Sequence, residues 1–525
     1  MNRRNRFTIL IIFVFLFDSI QSKEPLSIKM EEIEEIALTN SIILASLKDR
    51  REVFKMMATE RWRNYLPRVG LSYFGLRNAN MNQPDTQYND IRIQMNQLLY
   101  DGGENALEIE SARLSELLNH EDWKIAREKL LLEVRKAYIR SISSNTKTQL
   151  AMISYERALK HLNEAKSERR EGFISELQLQ EIANKLYELE LIVLRSKSQS
   201  LQNQIDLKKQ MNLPLEEMIV FNDSLIHDFI LFPPQFLQDD EGQAVTQRPE
   251  IKKSKIAIEN LKTRKEISEN YWKPKMYLGG YYGENVNGSL PVKNEVYGFN
   301  VSIQTQIGSS TNQTSANYGI QTDGTGIQRI PGFGPQFVGR GENAFNSNTL
   351  NLFDDLSYSR KIYEGKVALS DAIRSNQFLE ISIGAEAFKA KERVRETWLA
   401  LSLQNSKFIQ SYQTWKVIRT KHQQGLIKDL DLLGAEVELV KAIDELSTAI
   451  ANYLESGMEY SYATSVPIDD LNFYKIQKGK GNSVMLDLFS FDPIEQINHI
   501  QSQNKEQTEK TKFGKSNDYP YFLED

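Results

Sequence analysis

The chain has no cysteine in 525 residues. That excludes disulfides and thiolate metal sites, and it removes the sulfur on which an exported chain would carry a lipid anchor. Histidine is nearly as scarce: His120, His161, His227, His422 and His499 stand too far apart in sequence to show any metal-ligand spacing. Net charge is −5, so no global basic field favours nucleic acid. After Phe17 no stretch is long and apolar enough to span a bilayer as a helix. Gly332-Phe333-Gly334 and Gly339-Arg340-Gly341 lie in a loop-like stretch rather than between a strand and a helix, which argues against a phosphate cradle. Enzyme chemistry has no carrier here, and neither cofactor nor metal is expected.

The length suits two to four ordinary domains or one very elongated body. A mean hydropathy of −0.48 and a charged fraction of 26 % suit a helical protein rather than a bundle of membrane helices. The start differs: Arg3, Arg4 and Arg6 precede an apolar run from Phe7 to Phe17, with a small residue for cleavage in Ile20-Gln21-Ser22. Residues 1–22 read as a secretory signal peptide, the alternative being a retained membrane anchor.

The second half repeats the first. Glu171-Gly172-Phe173-Ile174-Ser175-Glu176-Leu177 returns as Gln424-Gly425-Leu426-Ile427-Lys428-Asp429-Leu430, and each glycine is followed 42 residues later by a proline, Pro214 or Pro467. Leu179, Ile182, Leu186, Leu189 and Val193 step by 3, 4, 3 and 4; shifted by 253 positions they become Leu432, Ala435, Leu439, Ala442 and Leu446. That spacing places apolar side chains on one helix face. From Glu104 to Glu171 there is neither proline nor glycine, which predicts one very long helix, or two stacked end to end, of about 100 Å. Ile174–Asn212 returns over about 60 Å and leaves room for a further helix. Helical hairpins are expected at 104–212 and 366–466, the second outgoing helix ten residues the shorter. A helix over Ile33–Tyr65, stopped by Pro67, matches one from Arg248-Pro249-Glu250 to Tyr271, ahead of Pro274.

Each half also carries alternating runs. Val69, Leu71 and Tyr73 alternate with Arg68, Gly70 and Ser72, and after an Asn-rich turn Ile91, Ile93 and Met95 alternate with Arg92, Gln94 and Asn96. Such runs suit transmembrane barrel strands, the alternative being a half-buried soluble hairpin; two of them in matching places favour the membrane reading. Hairpins at 68–100 and 275–363 follow, ended by Tyr100-Asp101-Gly102 and Tyr363-Glu364-Gly365. The second is swollen by an insertion, 285–348, in which Tyr297, Phe299, Val301, Ile303 and Ile307 alternate with polar residues. One extra spanning strand would put the next helix on the wrong side of a membrane. The insertion is therefore expected as an extracellular extension, the alternative being a partner strand near Gln328–Val338.

The doubled Pro-ended helix, the Tyr-Asp-Gly and Tyr-Glu-Gly motifs, Arg248-Pro249-Glu250 and the two Gly-hydrophobe turns together resemble the TolC-type outer membrane efflux protein (outer membrane factor) family over residues 27–470. No single motif is specific; their order and duplication are. The resemblance implies a mixed α and β fold. Three copies would build a trimeric outer membrane 12-strand β-barrel, four strands from each, continuous with a long periplasmic α-helical barrel made of two internal repeats. The chain would divide into the signal peptide, a first repeat at 23–243, a second at 244–467, an equatorial segment at 468–500 and a disordered tail at 501–525. The implied function is passive conduction to the outside of substrates delivered by an inner membrane transporter and a periplasmic adaptor. The partners are those two proteins, the other copies of a homotrimer and outer membrane lipid, with no nucleic acid.

By the same resemblance, the turns at Gly172-Phe173 and Gly425-Leu426 dock the adaptor, glycine giving the reversal and the hydrophobe a knob. A plain helix corner would read the same. Glu176 on one hairpin, and Asp429 and Asp431 on the other, are the pore-gate candidates; repeated around a narrow opening they would attract cations. Asp431 holds the place of the family's entrance aspartate, six residues after the turn glycine, while the family's further acidic ring falls on Gly434 here. The other reading of Asp431 is a helix-start carboxylate favoured by the dipole. His422, Arg419 and Lys421 suit a solvated basic patch or a gate tether, and Arg169 or Arg170 would satisfy the acids of a neighbouring hairpin. Tyr73, Phe74, Tyr281 and Tyr282 suit an aromatic girdle or core packing. A type I protein secretion duct would have the same walls. A periplasmic adaptor or coiled-coil scaffold would share one long hairpin but not the doubling.

Overall fold

A computed structural model describes residues 26–476 apart from 79–85, 226–227, 288–291, 321–326, 331–333, 338–342 and 428. The expected signal peptide, the tail and the equatorial segment beyond 476 lie outside the described residues.

A short strand, β1 (Leu26–Ile28), leads to α1 (Met30–Asn40) and α2 (Ile42–Trp62). The helix expected in one piece is thus two, because Ser41 leaves helical geometry and its hydroxyl accepts the Leu44 amide as an N-cap. Strands β2 (Arg68–Asn78) and β3 (Thr86–Tyr100) precede α3 (Glu104–Arg170), one unbroken helix of 67 residues, and α4 (Glu176–Gln210) returns along it. A linker of β4 (Ile219–Phe221), β5 (Phe229–Leu231) and α5 (Asp240–Gln247) ends at α6 (Pro249–Glu269), whose proline occupies the first turn, where no amide partner is needed. Then come β6 (Lys275–Asn287), β7 (Val292–Ile307), β8 (Ser310–Gly319), β9 (Ile327–Ile330), β10 (Gly334–Phe337) and β11 (Asn343–Asn351). The described chain closes with α7 (Tyr358–Gln423), α8 (Asp429–Thr464), the single turn α9 (Ile468–Leu471) and β12 (Tyr474–Ile476).

The second outgoing helix starts at Tyr358, so Tyr363-Glu364-Gly365 is helical and does not end a strand. With 66 residues it nearly equals α3 instead of falling ten short. The difference lies in the glycines. Gly102 and Gly103 are both left-handed, at φ 73° and 87°, and halt the chain. Gly365 stays helical within α7, and a side chain there would meet the Lys265 backbone of α6 only at an ordinary contact distance of 3.6 Å.

Six strands, not four, form one antiparallel sheet in the order β11-β8-β7-β6-β3-β2. The sheet thus holds two strands more than the four expected from each copy. Strand β7 pairs with β6 on one side and, on the other, with the segment that directly follows it, from Ile307↔Ser310 to Gly298↔Gly319. Among the described residues near 328–338, β9 pairs with β10. The insertion is therefore mostly sheet: β6 runs on to Asn287, β7 begins at Val292, and the added hairpin is β8–β11. An even number of strands returns the chain to the side it entered from. Strands β8 and β11 escape a sequence reading because Asn, Ser and Thr occupy both of their faces, leaving no period-2 signal.

The two halves join side by side. Nearest the glycine turns the lateral order is α4-α3-α8-α7; nearest the sheet it is α2-α3-α6-α7. Asn212 donates to the Asn40 carbonyl at 3.2 Å where α4 and α1 meet along α3. The return-helix stripe is buried as its spacing predicts, Ile182, Leu186 and Leu189 packing on Ala158, Leu162 and Ala165. Midway along the bundle, β1 pairs with β4 and β12 with β5 around the buried Tyr453, Tyr460 and Phe473. A side chain at Gly457 would press on the Phe473 ring at 3.0 Å.

Candidate docking tip and gate

Both turns close in the same way. The Phe173 amide donates to the Glu168 carbonyl at 2.9 Å and Gly172 to Arg169 at 3.2 Å; Leu426 donates to Lys421 at 2.9 Å and Gly425 to His422 at 2.8 Å. This is the Schellman pattern, which satisfies the last helix carbonyls and needs a left-handed residue. Gly172 and Gly425 supply it at φ 86° and 71°, with open space around them. The next residue is thrown outward: Phe173 is 74 % and Leu426 70 % exposed. Ser175 then opens α4 with a capping box, its hydroxyl on the Gln178 amide and the Gln178 side chain on its own.

The gate candidates are not brought together within one chain, because α3 separates α4 from α8. Glu176 meets Arg169 of its own turn at 3.2 Å. Both side chains are exposed, and such a pair contributes at most about 1 kcal/mol. Asp431 lies exposed on the first turn of α8. The Asp429 side chain lies outside the described residues. Arg419 rests over the Trp415 ring at 5.1 Å instead of standing in solvent.

A ladder of ion pairs between the two halves was not foreseen. Lys136–Glu459 (2.5 Å), Arg140–Glu455 (2.6 Å), Lys147–Asp444 (2.8 Å) and Arg157–Glu436 (3.3 Å) put every base on α3 and every acid on α8. As the bases advance, the acids retreat, which is legible only once α3 is known to lie antiparallel to α8. At the rung nearest the tip, His161 Nε2 stands 3.7 Å from Glu436 and its Nδ1 3.4 Å from Glu164. Burial by itself would raise the Glu436 carboxyl, but His161, the Arg157 charge and Trp415 outweigh it and hold the group below the usual carboxylate range. Its contribution to stability is thus present above the unfolded value and is lost as pH falls below about 4.5 through the depressed one. Glu436→Gln should speed amide exchange in the first turns of α8 about tenfold at neutral pH, equivalent to roughly 1.4 kcal/mol, with the middle of the bundle unaffected. Equal exchange rates would show that this rung does not hold the tip.

Arg248 is a second buried joint, 4 % exposed. It reaches Glu250 at 2.7 Å and Glu386 of α7 at 2.6 Å, and lies 4.9 Å over the Tyr462 ring of α8. Burial opposes its charge, yet the two carboxylates outweigh burial and raise its pKa further.

The sheet has two unlike faces. Registers such as Leu71↔Ile93↔Tyr282↔Tyr297 line up side chains across four strands. On that face Val69, Leu71, Tyr73, Ile91, Ile93, Met95, Tyr282, Phe299 and Ile303 are exposed apolar residues. The opposite face carries Arg92, Gln94, Asn96, Asn300 and Gln304. Of the aromatic-girdle candidates, Tyr73 and Tyr282 fall on the apolar face and Phe74 and Tyr281 on the polar one, where Arg92 covers the Tyr281 ring at 5.0 Å.

An antiparallel sheet with an exposed apolar face, continuous with helices of about 100 Å that close in paired glycine turns, has the fold of an outer membrane channel. No protein-family model matches the sequence, and no curated protein matches it either. Among solved structures, the chain is similar to the CmeC outer membrane channel of Campylobacter jejuni at 14 % identity and a TM-score of 0.64, covering 84 % of this chain and 88 % of that one. It is similar to the outer membrane protein VceC of Vibrio cholerae at 12 % identity and a TM-score of 0.61, over 83 % and 95 % of the two chains. The MtrE outer membrane channel of Neisseria gonorrhoeae, in its open state, matches at 14 % identity and a TM-score of 0.60, over 83 % and 88 %. At such identities the likeness is one of fold.

Proposed function

We propose that the chain is the outer membrane exit duct of a tripartite efflux system. Three copies form one pipe that passively conducts substrates handed over by an inner membrane transporter and a periplasmic adaptor. The observation that carries this is the two-faced sheet: an exposed apolar face backed by a polar one is stable with lipid on one side and water on the other. No helix among the described residues is long and apolar enough to cross a membrane, so spanning falls to strands. Open strand edges cannot stand in lipid, and copies must therefore close a ring. The doubled hairpin and the likeness to channels of this fold speak against a periplasmic adaptor or scaffold. A type I protein secretion duct is the alternative within this reading, since the walls of the pipe are the same in both.

The test is fractionation followed by planar bilayers. The full chain should need detergent for extraction and should form discrete cation-blocked channels. Asp431→Ala should weaken the block several-fold, as loss of a charge repeated around the pore would. Recovery in the detergent-free soluble fraction would sink the duct, whereas an unchanged block would remove only Asp431 from the gate.

A further inference from the structure

We infer that β8 and β11 are part of the membrane wall, so that β11 of one copy pairs with β2 of the next and three copies close eighteen strands. The inference rests on the ring proposed above and concerns how it closes. Strands β2 and β11 are the two ends of the sheet, with 11 and 9 residues. That is the length of a tilted spanning strand, about 9–11 residues. Strand β2 runs away from the helices and β11 back to them, so their pairing would be antiparallel like every other in the sheet.

The edges of the helical layer fall in the same places. Strand β2 follows α2 and β11 precedes α7, and these are the outermost helices beside the sheet. Both carry uncovered apolar side chains, Val53 and Met56 on α2 and Phe378 and Ile381 on α7. One neighbouring copy would cover the helix edge and the strand edge together. Widths agree as well. Strands about 4.8 Å apart at roughly 40° tilt each take about 6 Å of circumference, so six cover about 38 Å and four only about 25 Å. Four helices at about 8–10 Å span about 32–40 Å. Six strands match the helices beneath them.

The added hairpin is tied down at its base. Gly308 reverses the chain at φ 62°, the Asp355 amide donates to the Ser309 carbonyl at 3.0 Å, and the Phe353 amide to Ser310 Oγ at 3.1 Å. Its outward face is the polar part of the wall, and there Asn348 donates to Thr314 across the strands at 3.2 Å, offsetting part of the desolvation cost. If instead β7 took the neighbour's β2, the hairpin would have to give up the edge of β7 that β8 occupies.

The native lack of cysteine makes the test clean. Ser72→Cys on β2 is combined in turn with Ser347→Cys, Thr349→Cys and Asn351→Cys on β11, and with Asn300→Cys, Ser302→Cys and Gln304→Cys on β7. The full-length protein is oxidised in its native membrane and run on non-reducing denaturing gels. Within one copy β2 and β11 lie five strand spacings apart, about 24 Å, beyond the roughly 7 Å Cα reach of a disulfide. Only neighbouring copies can therefore link. The expected result is covalent dimers and trimers from the β11 pairs, at least tenfold above the β7 pairs. Linkage through β7, or none through β11 in protein that runs as a trimer before denaturation, overturns the eighteen-strand wall. Wild-type protein that is monomeric in native gels overturns the ring itself.

Discussion

Replacing Phe173 and Leu426 together by aspartate should abolish export while leaving the amount of assembled protein unchanged. Both side chains stand out from the molecule, so their loss removes almost no internal packing. The turns keep their glycines and their amide–carbonyl bonds, which depend on backbone geometry rather than on these side chains. What the substitutions remove is two apolar knobs and what they add is two charges, placed where a partner's hairpin would have to desolvate them. An apolar anchor at the centre of an interface contributes about 2 kcal/mol or more, roughly thirtyfold in affinity, so the pair should weaken adaptor binding about a thousandfold if independent. Affinity for the adaptor is the direct measurement, with substrate accumulation in cells as the readout of export. Undiminished binding would reduce both turns to plain helix corners.

Arg248→Ala should destabilise the folded chain by about 3–5 kcal/mol. The arginine joins three elements, α6 through Glu250, α7 through Glu386 and α8 through the Tyr462 ring. Removing it leaves Glu250, itself largely buried, without its cation, and an uncompensated buried charge costs far more than the pair contributed. Arg248→Lys should recover only part, since a point charge cannot face two carboxylates and a ring together. Arg169→Ala at the tip is the contrast: it also removes a salt bridge, but an exposed one, and should cost less than about 1 kcal/mol. Denaturant midpoints of the three variants decide the matter; equal shifts for Arg248→Ala and Arg169→Ala would refute the joint.

The helical part was largely legible. The long glycine- and proline-free run is one helix, and the 3-4 stripe of the return helix is buried where its spacing places it. The tip was legible too, because a glycine followed by a hydrophobe at the end of a helix is a local signal for a left-handed cap. Three things were not. In Tyr363-Glu364-Gly365 the glycine looks like Gly102, but a glycine can stand within a helix as well as in a left-handed turn, and only the folded chain tells which. The polar strands β8 and β11 carry no alternation to read. The ladder from α3 to α8 joins residues as far apart as Lys136 and Glu459, 323 positions away.

By itself the sequence determined what neighbouring residues decide among themselves: where helices run, which face they bury, where glycine reverses the chain, and the two-faced character of β2, β3 and β7. Tertiary structure alone decided how many strands stand in the sheet and which acid answers which base. The physical reason is that periodicity and left-handed geometry are written within a few residues, whereas a strand that is polar on both faces and a charge on a helix surface acquire meaning only from whatever distant segment folds beside them.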